Sequence, residues 1–168
     1  ALPAEAVVEE QLLAGADVFL TNTRPAALEK LGFGWEAVRR RCPRLVFAHV
    51  SGWGRHGPDS TRAGFDVGPF FTATGISAAI HGGYSRDNIA TAYSYPYGFG
   101  DCVTGHSLLS GIMLALADRV ATGQGRLVST NLFDTGLFCA APIVLLGPGG
   151  SGRRGKGRGG GGEGDGVK

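Results

Sequence analysis

The sequence predicts an α/β fold built on a parallel sheet, and three observations predict it. Short apolar runs rich in β-formers occur at 17–21, 44–50 and 126–131. Helical patterns lie between and after them, so strand and helix alternate along the chain. Gly and Pro mark most of the junctions. Parallel strands joined by helices are covered on both faces, which is why these runs are apolar throughout rather than alternating.

Each element has a local reason. Residues 4–15 place Val7, Val8, Leu12 and Leu13 on one helical face, and Gly15 ends the pattern. The run 17–21 (DVFLT) follows as a buried strand. Pro25 suits the first turn of a helix through Lys30, since its missing N–H has no partner there anyway. Gly32 and Gly34 break that helix, and 35–41 forms another that stops before Cys42-Pro43. Residues 44–50 (RLVFAHV) give the second strand, 52–64 a loop, and 66–73 a helix. The stretch 75–100 is the least regular, with Gly82-Gly83 and the aromatics Tyr93, Tyr95, Tyr97 and Phe99. The longest helix covers 101–121, with 107–117 as its buried part. A turn at 122–125, the third strand at 126–131 and a helix at 132–145 complete a partial Rossmann-like sheet with flanking helices.

Residues 1–146 form the folded unit on this reading, and 147–168 a disordered Gly/Arg-rich tail. The tail holds twelve of the 30 glycines and only one large apolar side chain, Val167, too little to offset chain entropy. Five of the 16 Lys/Arg and two of the 14 Asp/Glu lie in it, leaving 11 and 12 in the body. The body is therefore nearly neutral, and no nucleic-acid partner is expected. The tail's clustered cations are few for an RNA-binding arm. Cys42, Cys102 and Cys139 are odd in number, widely spaced and set in apolar surroundings, the pattern of reduced thiols in an intracellular protein. The first residues carry neither an initiating Met nor a signal-like pattern, so the chain is expected to start inside a longer protein, cytoplasmic or mitochondrial. No uncharged stretch reaches the roughly 20 residues that span a bilayer. No metal-ligand spacing, P-loop or dinucleotide fingerprint is present.

Asp101 carries the chemistry that can be read locally. It follows Gly98-Phe99-Gly100 and opens the long helix, the position of an N-cap. Unpaired backbone N–H groups and the positive end of the helix dipole both favour an ionised carboxylate there. A carboxylate nucleophile needs the same things: charge, a fixed geometry and an open approach. Gly105 and Gly111 each cost the helix about 1 kcal/mol relative to Ala, which implies a close neighbour or a ligand. His106 could orient a substrate but fits better as a core histidine, and Asp118 and Arg119 read as a solvated helix end, with Arg119 suited to the C-terminal dipole. Asn22, Thr23 and Arg24 lie where ligands bind in parallel sheets, just beyond a strand's carboxyl end. Arg24 offers a fork for phosphate and Asn22 an amide.

Seven motifs then occur in order, at 17–25, 31–36, 42–46, 51–58, 62–66, 100–105 and 119–126. Together they resemble those of the family III coenzyme A transferases. The resemblance implies that Asp101 attacks an acyl-CoA thioester, passing through an acyl-aspartyl anhydride and an aspartyl-CoA thioester before a second carboxylic acid collects the CoA. It further implies that Asn22, Thr23, Arg24 and Lys30 contact coenzyme A, with Arg62, Ala63, Gly64 and Phe65 lining the same ligand. Coenzyme A and acyl-CoA are substrates on this reading, with no permanently bound cofactor and no metal. The aromatics and glycines of 82–99 would surround the acyl group. Members are more than twice this length and form interlocked dimers, so a full-length homodimer is implied, and residues 1–168 alone are expected to bind CoA poorly.

Two other readings stand beside transfer. The α-methylacyl-CoA racemases are similar, but they carry His where this chain has Phe65, and phenylalanine cannot move a proton. A non-catalytic remnant would keep the fold without turnover.

Overall fold

A computed structural model of the protein describes residues 11–80 and 96–150. Residues 11–15 are helical. Strand β1 (Val18–Thr21) leads to α1 (Pro25–Leu31) and α2 (Trp35–Arg41), then to β2 (Val46–Ser51). A π-helical segment (Val67–Thr72), α3 (Ile76–Ile80), the long α4 (Phe99–Thr122), β3 (Leu127–Asn131) and α5 (Leu132–Gly150) follow. The three strands form one parallel sheet in the order β1-β2-β3. Val18 to Thr21 stand opposite Val46 to His49, and Phe47 to Ser51 opposite Leu127 to Asn131.

The central strand shows why the sheet needs helices on both sides. Val46, Phe47, Ala48 and His49 are all buried, although successive side chains point to opposite faces. On one face Leu13, Leu28, Val38, Leu45 and Phe47 pack together, with Phe19 and Trp35 edge-on to Phe47 at 5.1 and 5.9 Å. Burying a side chain such as Phe47 contributes about 1.5–3 kcal/mol. α4 packs across β2 and β3. A second cluster joins Phe70, Phe71, Ile76, Leu132 and Ala140, tying the π-helical segment and α3 to α5.

Several motifs serve this architecture. A Cβ on Gly111 would stand 2.5 Å from Val128 Cγ1, so glycine lets α4 settle onto β3. Arg119 donates to the Asp17 carboxylate at 2.7 Å and to the Arg44 carbonyl at 3.1 Å, joining the end of α4 to the entrances of β1 and β2. Its side chain is only 16% exposed, which corrects the expectation of a solvated helix end. Gly123 ends α4 at φ 69°, a left-handed conformation that favours glycine. Gly125 lies against the Leu45 carbonyl, where a Cβ has no room.

Other sequence expectations shift. The 66–73 helix is π-helical: Pro69 has no N–H to donate, and Ala73 reaches back five residues to the Gly68 carbonyl at 2.9 Å. Within the stretch expected to be irregular, 76–80 is helical. His106 is exposed rather than in the core, its Nδ1 2.9 Å from the Cys102 carbonyl one turn back. Cys102, one turn before His106 on the same face of α4, is exposed too, and all three cysteines are free. α4 is long and apolar enough by length and composition to cross a membrane, and Leu109, Met113 and Leu114 are more than half exposed, so 107–117 is only partly buried. α5 continues through Gly150, four residues into the stretch assigned to the tail. The expectations for 4–10, for Tyr93 and Tyr95, and for 151–168 fall outside the described residues.

Candidate active site

Three chain segments meet beyond the carboxyl ends of β1 and β2, where parallel sheets leave a crevice. The first is the loop Asn22–Arg24. The second is the long connection after β2, running from Ser51 to Phe65. The third is the start of α4, which carries Asp101 into the space between them. They enclose an open cavity of ≈ 800 Å³ whose lining includes Asn22, Arg24, Arg62, Ala63, Gly64, Phe65 and Asp101. Seven of the nine residues singled out from the sequence thus share one cavity. Thr23 and Lys30 do not line it. Thr23 is bound through its backbone instead, with its N–H donating to Thr21 Oγ1 at 3.1 Å. Lys30 is exposed on the last turn of α1.

Trp53 builds the wall between the first two segments. Its Nε1–H donates to the Ala63 carbonyl at 3.2 Å, and the Arg62 guanidinium lies 4.6 Å from its ring centroid. The ring also leans on Phe133 at 5.8 Å. Gly52 and Gly64 allow this packing: a Cβ on Gly52 would meet Gly64 Cα at 3.0 Å, and one on Gly64 would meet Trp53 Nε1 at 2.7 Å. Arg62 also pairs with Asp59 at 3.7 Å, but both side chains are more than half exposed, so the pair adds little. Arg24 and Arg62 are therefore two exposed cations on the cavity, suited to phosphate oxygens.

Asp101 is not the N-cap. That position belongs to Gly98, at φ 72°, and Asp101 stands in the first turn as its acidic residue. The turn begins two residues early because Gly98 adopts the left-handed conformation, which frees Phe99 and Gly100 to be helical. The dipole still favours a negative charge in that turn.

A second carboxylate, Asp66, comes from the π-helical segment and lies buried against the same helix start. It packs so closely on Gly100 that a Cβ there would collide with Asp66 Oδ1 and the Phe70 ring. Burial raises the Asp66 carboxyl above its ordinary range, and the nearby Asp101 charge adds to this. The backbone N–H groups of Gly100, Asp101 and Gly98 pull the other way, but none completes a hydrogen bond to Oδ1. The glycine before Asp101 thus makes room for a buried acid.

Sequence reasoning missed Trp53 as a wall. It also missed Ser51 and Ser60, and Leu108, Leu109, Ile112 and Leu132, which give the cavity its apolar floor. Of the two reasons expected for Gly105, a close backbone or a ligand, no backbone comes close, and the space beside it is open cavity. The available signal was the one-turn spacing of Asp101, Gly105, Leu108 and Ile112 on α4, which places them on one face. Among the described residues no group of three or more His, Cys, Asp or Glu side chains could hold a metal.

The model of CoA-transferase family III matches residues 3–163. A (R)-2-hydroxy-4-methylpentanoate CoA-transferase of Clostridioides difficile is 36% identical over 129 residues, covering 76% of this chain and 31% of that protein. A formyl-CoA:oxalate CoA-transferase of Escherichia coli is 30% identical over 127 residues, covering 76% and 29%. A crystal structure of a CAIB/BAIF family protein from Brucella suis superposes with a TM-score of 0.70 at 26% identity, over 85% of this chain and 36% of that one. The chain spans about a third of the length of these relatives. With the family model matching nearly its whole length, the chain belongs to CoA-transferase family III.

Proposed function

We propose that this chain carries the nucleophile and part of the coenzyme A site of an enzyme that moves CoA from an acyl-CoA to a carboxylic acid. One observation carries the reading: Asp101 shares a cavity with two arginines and the 62–65 segment. Arg24 and Arg62 suit the phosphates of CoA, and Asn22 suits an amide of its pantetheine arm. The apolar floor formed by Leu108, Leu109 and Ile112 suits an acyl chain.

The steps follow from a carboxylate nucleophile. An Asp101 oxygen attacks the thioester carbonyl, the C–S bond breaks, and CoA thiolate leaves an acyl-aspartyl anhydride. The thiolate attacks the aspartyl carbonyl, releasing the donor acid and leaving an aspartyl-CoA thioester. The acceptor carboxylate attacks that thioester, displacing the thiolate and forming a second mixed anhydride; the thiolate then attacks the acceptor's acyl carbon, giving the new acyl-CoA and restoring Asp101. Each step is an acyl transfer, easier than direct exchange between thioester and acid. The position of Phe65, apolar and 86% exposed beside the cavity, favours transfer over racemisation, which needs an acid and a base across the α-carbon.

Trapping tests the reading. The complete gene product is incubated with an acyl-CoA, quenched with hydroxylamine and digested for mass spectrometry. A hydroxamate at Asp101 is expected; turnover with Asp101 unmodified would refute it.

A further inference from the structure

His49 takes no part in the reading above, yet it is 1% exposed and polar in the middle of the sheet. It stands opposite Thr21, the last residue of β1, so the chain leaving β1 passes directly over it. There its Nε2 lies 3.0 Å from the Thr23 carbonyl. A carbonyl only accepts, so the imidazole must carry its proton on Nε2. Nδ1 is then an acceptor, and it is buried without a partner. Arg55 Nη1, also buried without a partner, belongs to a residue lining the same small cavity of ≈ 10 Å³, beside Glu29 and Trp35. A cation on that side opposes a second proton on Nδ1, and burial, the larger effect, lowers the His49 pKa further.

We infer that His49 is a positioning residue for the coenzyme A loop: its Nε2–H holds the Thr23 carbonyl and so fixes Asn22 and Arg24 against the cavity. Thr23 sits between those two lining residues and is held from both sides, by His49 at its carbonyl and by Thr21 Oγ1 at its N–H. One residue later the Arg24 carbonyl accepts the first hydrogen bonds of α1, from Ala27 at 2.9 Å and Leu28 at 3.1 Å. The loop is thus pinned between a strand end and a helix start, with one buried side chain setting its height above the sheet. This role rests on the proposed use of Asn22 and Arg24 for coenzyme A.

The test compares two polar replacements in the complete gene product. His49→Gln puts an amide N–H near the Nε2 position, whereas the shorter His49→Asn does not reach Thr23. His49→Asn is expected to raise the KM for acyl-CoA on the order of tenfold with kcat within about twofold, the size of one lost hydrogen bond with some loop disorder. His49→Gln should stay within about threefold of wild type on both. Hydrogen exchange of a peptide covering 21–28 should quicken in His49→Asn alone. Equal effects of the two replacements on KM, or an unchanged KM in His49→Asn, overturn the inference. If the wild-type protein does not process acyl-CoA, the site reading itself falls, and unaltered exchange in His49→Asn would then refute the pinning separately.

Discussion

Gly64→Ala tests directly whether the cavity wall is built as described. The new methyl would stand 2.7 Å from Trp53 Nε1, 3.0 Å from Pro69 Cγ and 3.1 Å from Trp53 Cδ1. Pro69 is fully buried and cannot give way, so the indole must move or the overlap must persist. Persistent overpacking costs about 1–3 kcal/mol. Moving the indole instead breaks its 3.2 Å bond to the Ala63 carbonyl, worth about 1 kcal/mol, and loosens the Arg62 contact, worth about 0.5–1 kcal/mol. Alanine returns about 0.4–1 kcal/mol by restricting the unfolded chain. At the middle of these ranges both routes leave a net loss of about 1 kcal/mol. Urea unfolding measures it, and calorimetry with CoA reports the second consequence: about fivefold weaker binding as Arg62 loses its platform. A variant as stable as wild type with unchanged CoA affinity would refute the account of Trp53 and Gly64.

The other predictions concern charge and packing. Arg24→Ala should weaken CoA binding about tenfold in calorimetry with the unfolding midpoint unchanged, since the side chain is exposed and lines the cavity. Asp66, with its carboxyl raised by burial and then by Asp101, favours the folded state fully below 3.8 and loses that contribution as pH rises through its folded value. Asp66→Asn should therefore gain stability relative to wild type between pH 4 and pH 7, read as the difference in urea midpoints; an identical difference at both pH values would contradict it. Gly111→Ala should cost about 1–3 kcal/mol by lifting α4 from Val128, despite alanine's better helix propensity. Arg119→Lys should lose about 1 kcal/mol in thermal unfolding, because a point charge cannot serve both the Asp17 carboxylate and the Arg44 carbonyl.

What could be read from the sequence was what depends on near neighbours. The strand at 44–50 and the helix at 35–41 follow from short apolar runs and their punctuation, and both are present. Asp101 lies at the start of the long helix, as its local context implies, but in the first turn and not at the cap. The start of α4 is decided by the conformation of Gly98 and by the carboxylate of Asp66, which arrives from another element 35 residues earlier, beyond any local window. His49 was hidden for the same reason: within the run RLVFAHV it reads as one more strand residue. Its meaning appears only when parallel pairing sets it opposite Thr21 and under the Thr23 carbonyl. His106 shows the opposite error, a residue given a core role from its type although its helix position turns it to the outside.

The motifs also separate by what they hold, and that bears on the remnant reading. Residues 119–126 join the end of α4 to the entrances of β1 and β2, through Arg119 and the close approach of Gly125 to Leu45. A protein that had lost turnover would still need them to keep its sheet. The segments at 22–24, 52–53 and 62–66 do something different: their side chains and close-packed glycines form a cavity wall, and an open cavity with exposed cations stabilises nothing by itself. Asp66 sharpens the contrast. It accepts backbone hydrogen bonds from Gly98, Gly100 and Asp101 and so serves the start of α4, although its Oδ1 is buried without a partner. The acid thus has a folding role at the turn that carries Asp101, whereas the exposed Arg24 beside the cavity has none. A remnant would be free to lose that cation, and this chain retains it, which weighs against the remnant reading.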